Sequence, residues 1–201
     1  MKILFLSNND ISMPLFNWLK AIENSDNVVF YDSKLNAGLF LPDGIFHDIE
    51  FIISYNYIHL IKDEVISLFP RRIINLHTSL LPWNKGASPN IWSFIEKTPS
   101  GVTIHEIDSG LDTGNILLQQ EIFFDYETET LKGSYQKSHA LISQLFRDNW
   151  KQIKNGLLEP KPQLGPGTFH YVKDSDHFKH LIDYNDLIAI FLHKYHEFLA
   201  K

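Results

Sequence analysis

The sequence RIINLHTSLLPWNKGASP, residues 72–89, begins with a short apolar run and places Asn75 and His77 two positions apart. The apolar run predicts a buried strand. Side chains two apart on a strand point to the same face, about 6.6 Å from each other, so this amide and this imidazole can address one pocket. Polar groups at a strand end are more often hydrogen-bonded core or capping groups. The pair alone therefore does not identify a catalytic site.

Outward from this stretch, apolar strands alternate with helical patterns. Strands are predicted at residues 2–7, 27–33, 51–56, 101–108 and 115–124, and helices at residues 11–23, 62–69, 87–97 and 131–155. Ser12 is predicted to cap the first helix, and Gly156 to end the last. This alternation favours an α/β fold with a doubly wound, Rossmann-like, mostly parallel sheet. Ligands of such sheets bind at the carboxyl ends of strands, where Asn75 and His77 lie.

The C-terminal part of the chain has a different composition. Proline and glycine concentrate in residues 159–174, which predicts a linker or an extended surface segment. Residues 184–200 have the pattern of an aromatic-rich amphipathic helix, which either covers the sheet or makes a dimer contact. We therefore expect a catalytic domain at residues 1–158 and a short C-terminal extension at residues 159–201 that ends in a helix.

Composition and charge disfavour several classes of protein. The 201 residues are 44% hydrophobic, which is enough to bury a sizeable core. The net charge of −6, without a long Lys/Arg run, disfavours nucleic acid as a partner. The absence of cysteine excludes disulfides, thiolate metal sites and a cysteine nucleophile. The first apolar run is too short for a signal peptide or a membrane span, so we expect a cytoplasmic protein without membrane contact.

A second polar segment, IDSGLDTGNI at residues 107–116, carries Asp108 and Asp112 in a loop that also contains Gly110 and Gly114. Alone, this composition is typical of a tight turn. Together with Asn75 and His77 it suggests an acyl-transfer site, with an amide and an imidazole for a developing oxyanion and a carboxylate to orient the imidazole. A serine nucleophile is not expected, because HTSLLP lacks the Gly-x-Ser-x-Gly elbow.

The stretch NLHTSLLPWNKGASP, followed by GVTIHEIDSGLDTGNILLQQ at residues 101–120, resembles the signature of the folate-dependent formyltransferases. That family takes the formyl group from N10-formyltetrahydrofolate. The resemblance covers residues 54–124 strongly and implies a sheet of the formyltransferase type. It implies that Asn75 hydrogen-bonds the formyl oxygen, and that His77 assists attack and stabilises the tetrahedral intermediate. Asp112 would keep His77 suitably charged and help to move protons.

The resemblance also implies a folate pocket beside these three residues. The segment NYIHLI, residues 56–61, matches the family segment whose backbone holds the pterin, and the loop at residues 108–112 matches the other wall of the pocket. The side chains of the first segment are equally consistent with core packing, since backbone contacts do not determine residue identity. The residues implied to bind the co-substrate are Tyr57, Ile58, His59, Leu60, Ile61, Asp108, Gly110 and Leu111.

Three acceptor classes are usual in this family. Phosphoribosylglycinamide formyltransferases have a glycine-rich phosphate loop after the first strand. At that position this chain reads SNNDISM, which contains no glycine, so this acceptor class is disfavoured. Methionyl-tRNA formyltransferases carry an additional basic C-terminal domain, and too few residues follow position 157 for one. The resemblance is closest to the sugar N-formyltransferases. These act on nucleotide-linked 4-amino-4,6-dideoxy sugars, for example dTDP-4-amino-4,6-dideoxyglucose, in the biosynthesis of O-antigen, lipopolysaccharide and related glycans.

This resemblance implies a set of acceptor-side residues and a homodimer. Lys85 is a candidate partner of the diphosphate, and Trp83 is a candidate surface for the sugar or the base. A solvated lysine and a packed tryptophan are the more frequent explanations of such residues. The predicted substrate-binding residues are Ser79, Trp83, Asn84, Lys85 and Trp92.

Three other functions remain open. A formyltetrahydrofolate hydrolase would use the same three residues with water as the acceptor. A non-enzymatic binder of folate or nucleotide sugar is also consistent with the pattern, although all three catalytic side chains are intact. A metal enzyme built on His105, Glu106 and Asp108, or on His193 and His196, is disfavoured, because the first two would point to opposite strand faces. We expect no metal.

Overall fold

A computed structural model describes all 201 residues, Met1–Lys201. The strands are β1 (Ile3–Leu6), β2 (Val28–Tyr31), β3 (Phe51–Tyr55), β4 (Ile73–His77), β5 (Lys85–Gly86), β6 (Gly101–Glu106), β7 (Ile116–Glu121) and β8 (Phe169–His170). The helices are α1 (Met13–Glu23), α2 (Asp63–Ile66), α3 (Pro89–Glu96), α4 (Leu131–Lys154) and α5 (Ile188–Leu199). Six strands form one sheet in the order β2-β1-β3-β4-β6-β7, and β5 pairs with β8 in a second sheet.

The first four strands of the large sheet run parallel. β1 pairs with β2 and β3, and β3 pairs with β4 in a register that places Ser54 opposite Asn75. The Ile107 N–H, just after β6, donates to the Ile73 carbonyl at the start of β4 (2.9 Å), so β6 runs antiparallel to β4. The mostly parallel sheet and the helices between its strands confirm the predicted fold class.

The chain forms two compact units, each with its own apolar core. The first unit comprises Met1–His77, Ile104–Leu117 and Asp148–Pro162, and the second comprises Thr78–Thr103, Leu118–Arg147 and Gln163–Lys201. One core cluster of the first unit comprises Leu4, Leu6, Leu35, Phe46, Ile49, Ile52, Ile61, Val65, Phe69 and Ile73. One core cluster of the second unit comprises Ile91, Trp92, Phe94, Leu131, Phe178, Ile188, Phe191, Leu192 and Tyr195. The domain boundary after residue 158 stays a prediction.

The structure tests two predicted helix ends, the N-cap of α1 and the C-terminal stop of α4. Ser12 occupies the N-cap position of α1, but its side chain makes no capping hydrogen bond. The hydroxyl is buried and donates instead to the Tyr55 carbonyl at the end of β3 (3.2 Å). The expected cap is therefore replaced by a tie between α1 and β3. Gly156 follows the last residues of α4 with a φ of +65°, which confirms it as the stop of that helix.

Residues 159–171 contain no helix, in line with the predicted extended segment, whereas Val172–Ser175 form a 3-10 helix. Several of the residues before this helix are paired. Lys161 forms an antiparallel bridge with Ile116, and β8 pairs in parallel with β5. Backbone hydrogen bonds to other segments hold these paired residues in place, so of the two predicted alternatives they fit the extended surface segment.

The C-terminal helix uses its apolar face within the second unit. Ile188, Phe191, Leu192 and Tyr195 of α5 are buried in the same core as residues of α3. A dimer contact through α5 stays a prediction. None of the helices combines the length and the apolar character needed to cross a membrane.

A buried histidine makes the stability of the fold depend on pH. His139 lies inside α4, and burial lowers its pKa from 6.5 to about 4. The unfolded chain therefore binds more protons between these two values, so stability is lost as the pH falls from about 6.5 to about 4. The difference corresponds to about 3 kcal/mol. We expect His139→Gln to reduce the loss of unfolding free energy between pH 7 and pH 4.5, measured by urea denaturation.

The exposed His193 provides the matched control, since its side chain is 73% accessible. His193→Gln makes the same substitution at the surface, and its unfolding free energy is compared with that of His139→Gln over the same pH range. Equal pH dependence in the wild type and His139→Gln would contradict the role of His139.

Candidate active site

Asn75 and His77 project from the carboxyl-terminal half of β4, and both belong to the first compact unit. Their two-residue spacing places them on one face of the strand. His77 is buried, and Asn75 is partly buried. Asp112 lies in the loop that follows β6, and its side chain is 10% exposed. The structure therefore brings the three predicted catalytic side chains together at one end of β4.

Short distances join the three side chains. The Asn75 Nδ2 donates to Asp112 Oδ1 (3.1 Å). His77 Nδ1 lies 3.6 Å from Asp112 Oδ2, the other oxygen of the same carboxylate. Asp112 is thus placed to hold the orientation of the His77 imidazole and to balance a positive charge on it. An amide and an imidazole beside one carboxylate are the groups that an acyl-transfer centre needs.

A fourth side chain, His105, joins the cluster and was missed as a member of it. Its Nε2 lies 3.3 Å from Asn75 Nδ2 and 3.5 Å from Asp112 Oδ1. The hydrogen bond from Ile107 to Ile73 sets the register that places His105 directly opposite Asn75 on the neighbouring strand. In the sequence His105 is only one residue of an apolar strand. The period-two pattern predicts the face of β6 on which His105 lies, but it does not predict which residue of the neighbouring strand lies opposite.

The loop that carries Asp112 is held by its own contacts. Asp108 Oδ1 accepts two hydrogen bonds from within the loop, the shorter from the Thr113 hydroxyl (2.6 Å). Asp112 has a φ of +53°, which aspartate tolerates better than most residues. A Cβ atom on Gly114 would lie 1.8 Å from the Glu106 carbonyl oxygen. Glycine is therefore required where the loop returns to β6.

The segment predicted to bind folate follows β3. The Tyr57 hydroxyl donates to a main-chain carbonyl just after β2 (2.6 Å), and burial raises the pKa of Tyr57 to about 12. The Ile58 N–H donates to the Asn8 side-chain oxygen (3.0 Å). The side chains of Ile58 and Leu60 are exposed, whereas Ile61 belongs to the core. The polar bonds thus hold the backbone while two apolar side chains face solvent.

The remaining residues predicted to bind folate lie in the same unit. The His59 ring packs edge-on against Tyr57, with 5.2 Å between ring centroids. Leu111 is exposed in the Asp112 loop, which also contains Asp108 and Gly110. Tyr57 and Ile107 pack against the same core cluster. Both segments of the predicted pocket are therefore supported by one hydrophobic core. Folate contacts by these residues stay predictions.

The residues predicted to bind the acceptor all lie in the second compact unit. The Ser79 hydroxyl donates to the Trp83 carbonyl (2.8 Å). Lys85 lies in β5, and its side chain is partly exposed. Trp92 stacks on His170 of β8, with ring centroids 3.8 Å apart and an interplanar angle of 4°. Trp92 is therefore largely occupied by packing within the chain.

Asn84 has a structural environment that the sequence did not indicate. It is fully buried, and its amide nitrogen donates to Glu96 Oε2 (3.0 Å) while its oxygen accepts from the Thr98 hydroxyl (2.8 Å). The Asn84 N–H donates to the Thr168 hydroxyl (2.8 Å). Asn84 thus joins α3 to the segment before β8. Contacts of these five residues with an acceptor stay predictions.

Comparison with known proteins identifies the family. Residues 46–148 match the model of the formyl transferase family. The chain belongs to the formyl transferase family. Among solved structures, the chain is similar to the formyltransferase PseJ from Anoxybacillus kamchatkensis, with 37% identity and a TM-score of 0.84 over 95% of this chain and 97% of that one. PseJ was crystallised with UDP-4,6-dideoxy-4-formamido-L-AltNAc and tetrahydrofolate.

Two further relatives define the limits of the comparison. The N-formyltransferase of Helicobacter canadensis has the same fold, with a TM-score of 0.75 at 21% identity over 96% of this chain and 78% of that one. The methionyl-tRNA formyltransferase of Thermodesulfovibrio yellowstonii is 38% identical over 123 residues, which are 60% of this chain and 39% of the relative. The match therefore spans well under half the length of that curated relative.

Proposed function

We propose that this formyl transferase moves the formyl group of N10-formyltetrahydrofolate to the 4-amine of a UDP-linked 4-amino-4,6-dideoxy sugar. The observation that carries the proposal is the similarity to PseJ over nearly the full length of both chains. The ligand in that relative carries a formamide on C4 of a UDP-linked sugar. The corresponding substrate is the 4-amine, and the accompanying tetrahydrofolate is the co-product.

The cluster around Asp112 supports this chemistry. The neutral amine attacks the formyl carbon, so that a carbon–nitrogen bond forms and the formyl oxygen becomes negative. Asn75 and His77 stabilise this oxygen, and Asp112 balances the charge on His77 at 3.6 Å. When the intermediate collapses, the bond from the carbon to N10 breaks. N10 gains a proton as the new amide nitrogen loses one, so protons and electrons balance.

Methionyl-tRNA is the second candidate acceptor. The matched region of the T. yellowstonii enzyme supports it, since that region is 38% identical over 123 residues. These residues cover 39% of the relative, so the match supports formyl transfer more directly than binding of tRNA. The net charge of −6 also disfavours a polyanionic acceptor. The sugar acceptor is therefore the better supported of the two.

A panel assay tests the proposed acceptor. The protein is incubated with N10-formyltetrahydrofolate and, separately, with UDP-, GDP- and dTDP-linked 4-amino sugars, glycinamide ribonucleotide and methionyl-tRNA, and tetrahydrofolate release is followed. We expect kcat/KM for the UDP-linked 4-amino sugar to exceed that for each other acceptor by at least about tenfold, which corresponds to about 1.4 kcal/mol. A higher kcat/KM for methionyl-tRNA would overturn the proposal. Equally fast formate release without any amine would favour a hydrolase.

The biological setting is proposed on the same basis. A role in O-antigen, lipopolysaccharide or related glycan biosynthesis follows from the sugar acceptor. A homodimer stays a prediction, which light scattering of the purified chain would test.

A further inference from the structure

His105 is a buried side chain that the proposed chemistry does not yet use. Its side chain is 1% exposed, and its Nδ1 lies 2.8 Å from the Glu106 carbonyl oxygen. A carbonyl oxygen only accepts hydrogen bonds, so Nδ1 carries the hydrogen. In a neutral ring Nε2 is then an acceptor. That acceptor points into the cluster formed by Asn75 and Asp112.

This acceptor decides what the Asn75 amide can do. The two hydrogens of Nδ2 have two partners inside the cluster, Asp112 Oδ1 at 3.1 Å and His105 Nε2 at 3.3 Å. With a neutral His105 both hydrogens are used, and none is left for a formyl oxygen. Turning the amide would bring its oxygen against the carboxylate and the ring lone pair, which repel it. A neutral His105 therefore holds Asn75 with its donors directed away from the substrate.

A hydrogen on His105 Nε2 removes this restraint. The ring would then donate to Asp112 Oδ1 at 3.5 Å or to the Asn75 oxygen. One hydrogen of the Asn75 amide then becomes available for the formyl oxygen. Two ionisable groups of the cluster face the His105 ring. Asp112 faces Nε2 from the loop after β6, and His77 of β4 is 6.2 Å away between ring centroids. The Glu106 carboxylate is engaged by Arg71 (3.0 Å).

We propose that His105 is a positioning residue that orients the Asn75 amide, and that its Nε2 carries a hydrogen in the complex that transfers the formyl group. The geometry that supports this is the placement of one imidazole nitrogen within 3.5 Å of both Asn75 Nδ2 and Asp112 Oδ1. The inference rests on the proposed function, because it assumes that Asn75 donates to the formyl oxygen.

Three variants of His105 test whether formyl transfer depends on a donor at the position of its Nε2. His105→Gln places an amide near the position of Nε2, where it can donate to Asp112. His105→Asn reaches only the position of Nδ1, and His105→Phe keeps the ring volume without a donor. In the Phe and Asn variants no donor at the Nε2 position fixes the orientation of the Asn75 amide, so we expect them to lower kcat by about 10- to 100-fold, with KM for folate and acceptor within about twofold of the wild type. The Gln variant should retain kcat within about threefold.

A spectroscopic measurement separates this inference from the proposed function. Nitrogen NMR of the 15N-histidine-labelled protein with tetrahydrofolate should show hydrogens on both ring nitrogens of His105, assigned by their loss in His105→Gln. A bare Nε2 in that complex, or wild-type kcat in folded His105→Phe, would overturn the inference. If the wild type transfers formyl to no acceptor in the panel, the proposed function fails, while the NMR result still decides the state of His105.

Discussion

Replacing Asp112 by asparagine is expected to lower the kcat of formyl transfer by about 10³-fold or more. Asp112 is the carboxylate between two imidazoles, His77 at 3.6 Å and His105 at 3.5 Å. Asparagine keeps the shape of the side chain but removes the negative charge, so a positive charge on either ring is no longer balanced. Loss of the carboxylate beside a catalytic histidine typically costs about 10³- to 10⁴-fold. The measurement is the rate of tetrahydrofolate release with a saturating UDP-linked 4-amino sugar.

The matched control changes the same charge outside the cluster. Asp63 is exposed at the start of α2, so Asp63→Asn should keep kcat within about twofold of the wild type. Thermal denaturation of both variants checks that the fold is intact. A kcat of Asp112→Asn within tenfold of the wild type would refute the catalytic assignment of this carboxylate.

Replacing Asn84 by alanine is expected to lower the free energy of unfolding by about 3 kcal/mol. The change removes the hydrogen bonds that the fully buried Asn84 side chain makes to Glu96 and Thr98, together with the packing of that side chain. Asn84 also has a φ of +55°, a conformation in which alanine is strained by roughly 1 kcal/mol. Urea denaturation monitored by tryptophan fluorescence measures the effect.

A glycine at the same position separates the two causes. Asn84→Gly removes the side-chain hydrogen bonds but tolerates a positive φ, so its loss should be about 2 kcal/mol. A wild-type unfolding free energy in both variants, combined with a raised KM for the acceptor, would instead support the predicted role of Asn84 in substrate binding.

The strands and long helices were accessible from the sequence because their signals are local. β1 and β3 are buried along their whole length and appear as continuous apolar runs. The pairing of β5 with β8 was not accessible, since each is two residues long and neither has a period to detect. The antiparallel direction of β6 likewise depends on its neighbour β4 rather than on its own residues.

The candidate site likewise has features that the sequence predicts and features that only the tertiary structure shows. The sequence by itself determined that Asn75 and His77 share one face, because side chains on a strand alternate with a period of two. It also placed Asp112 in a glycine-flanked loop, and the family signature linked that loop to the pair. Only the tertiary structure decided that His105 stands opposite Asn75, and that one carboxylate serves both imidazoles. The physical reason is that register between strands depends on hydrogen bonds between distant segments, which no local pattern encodes.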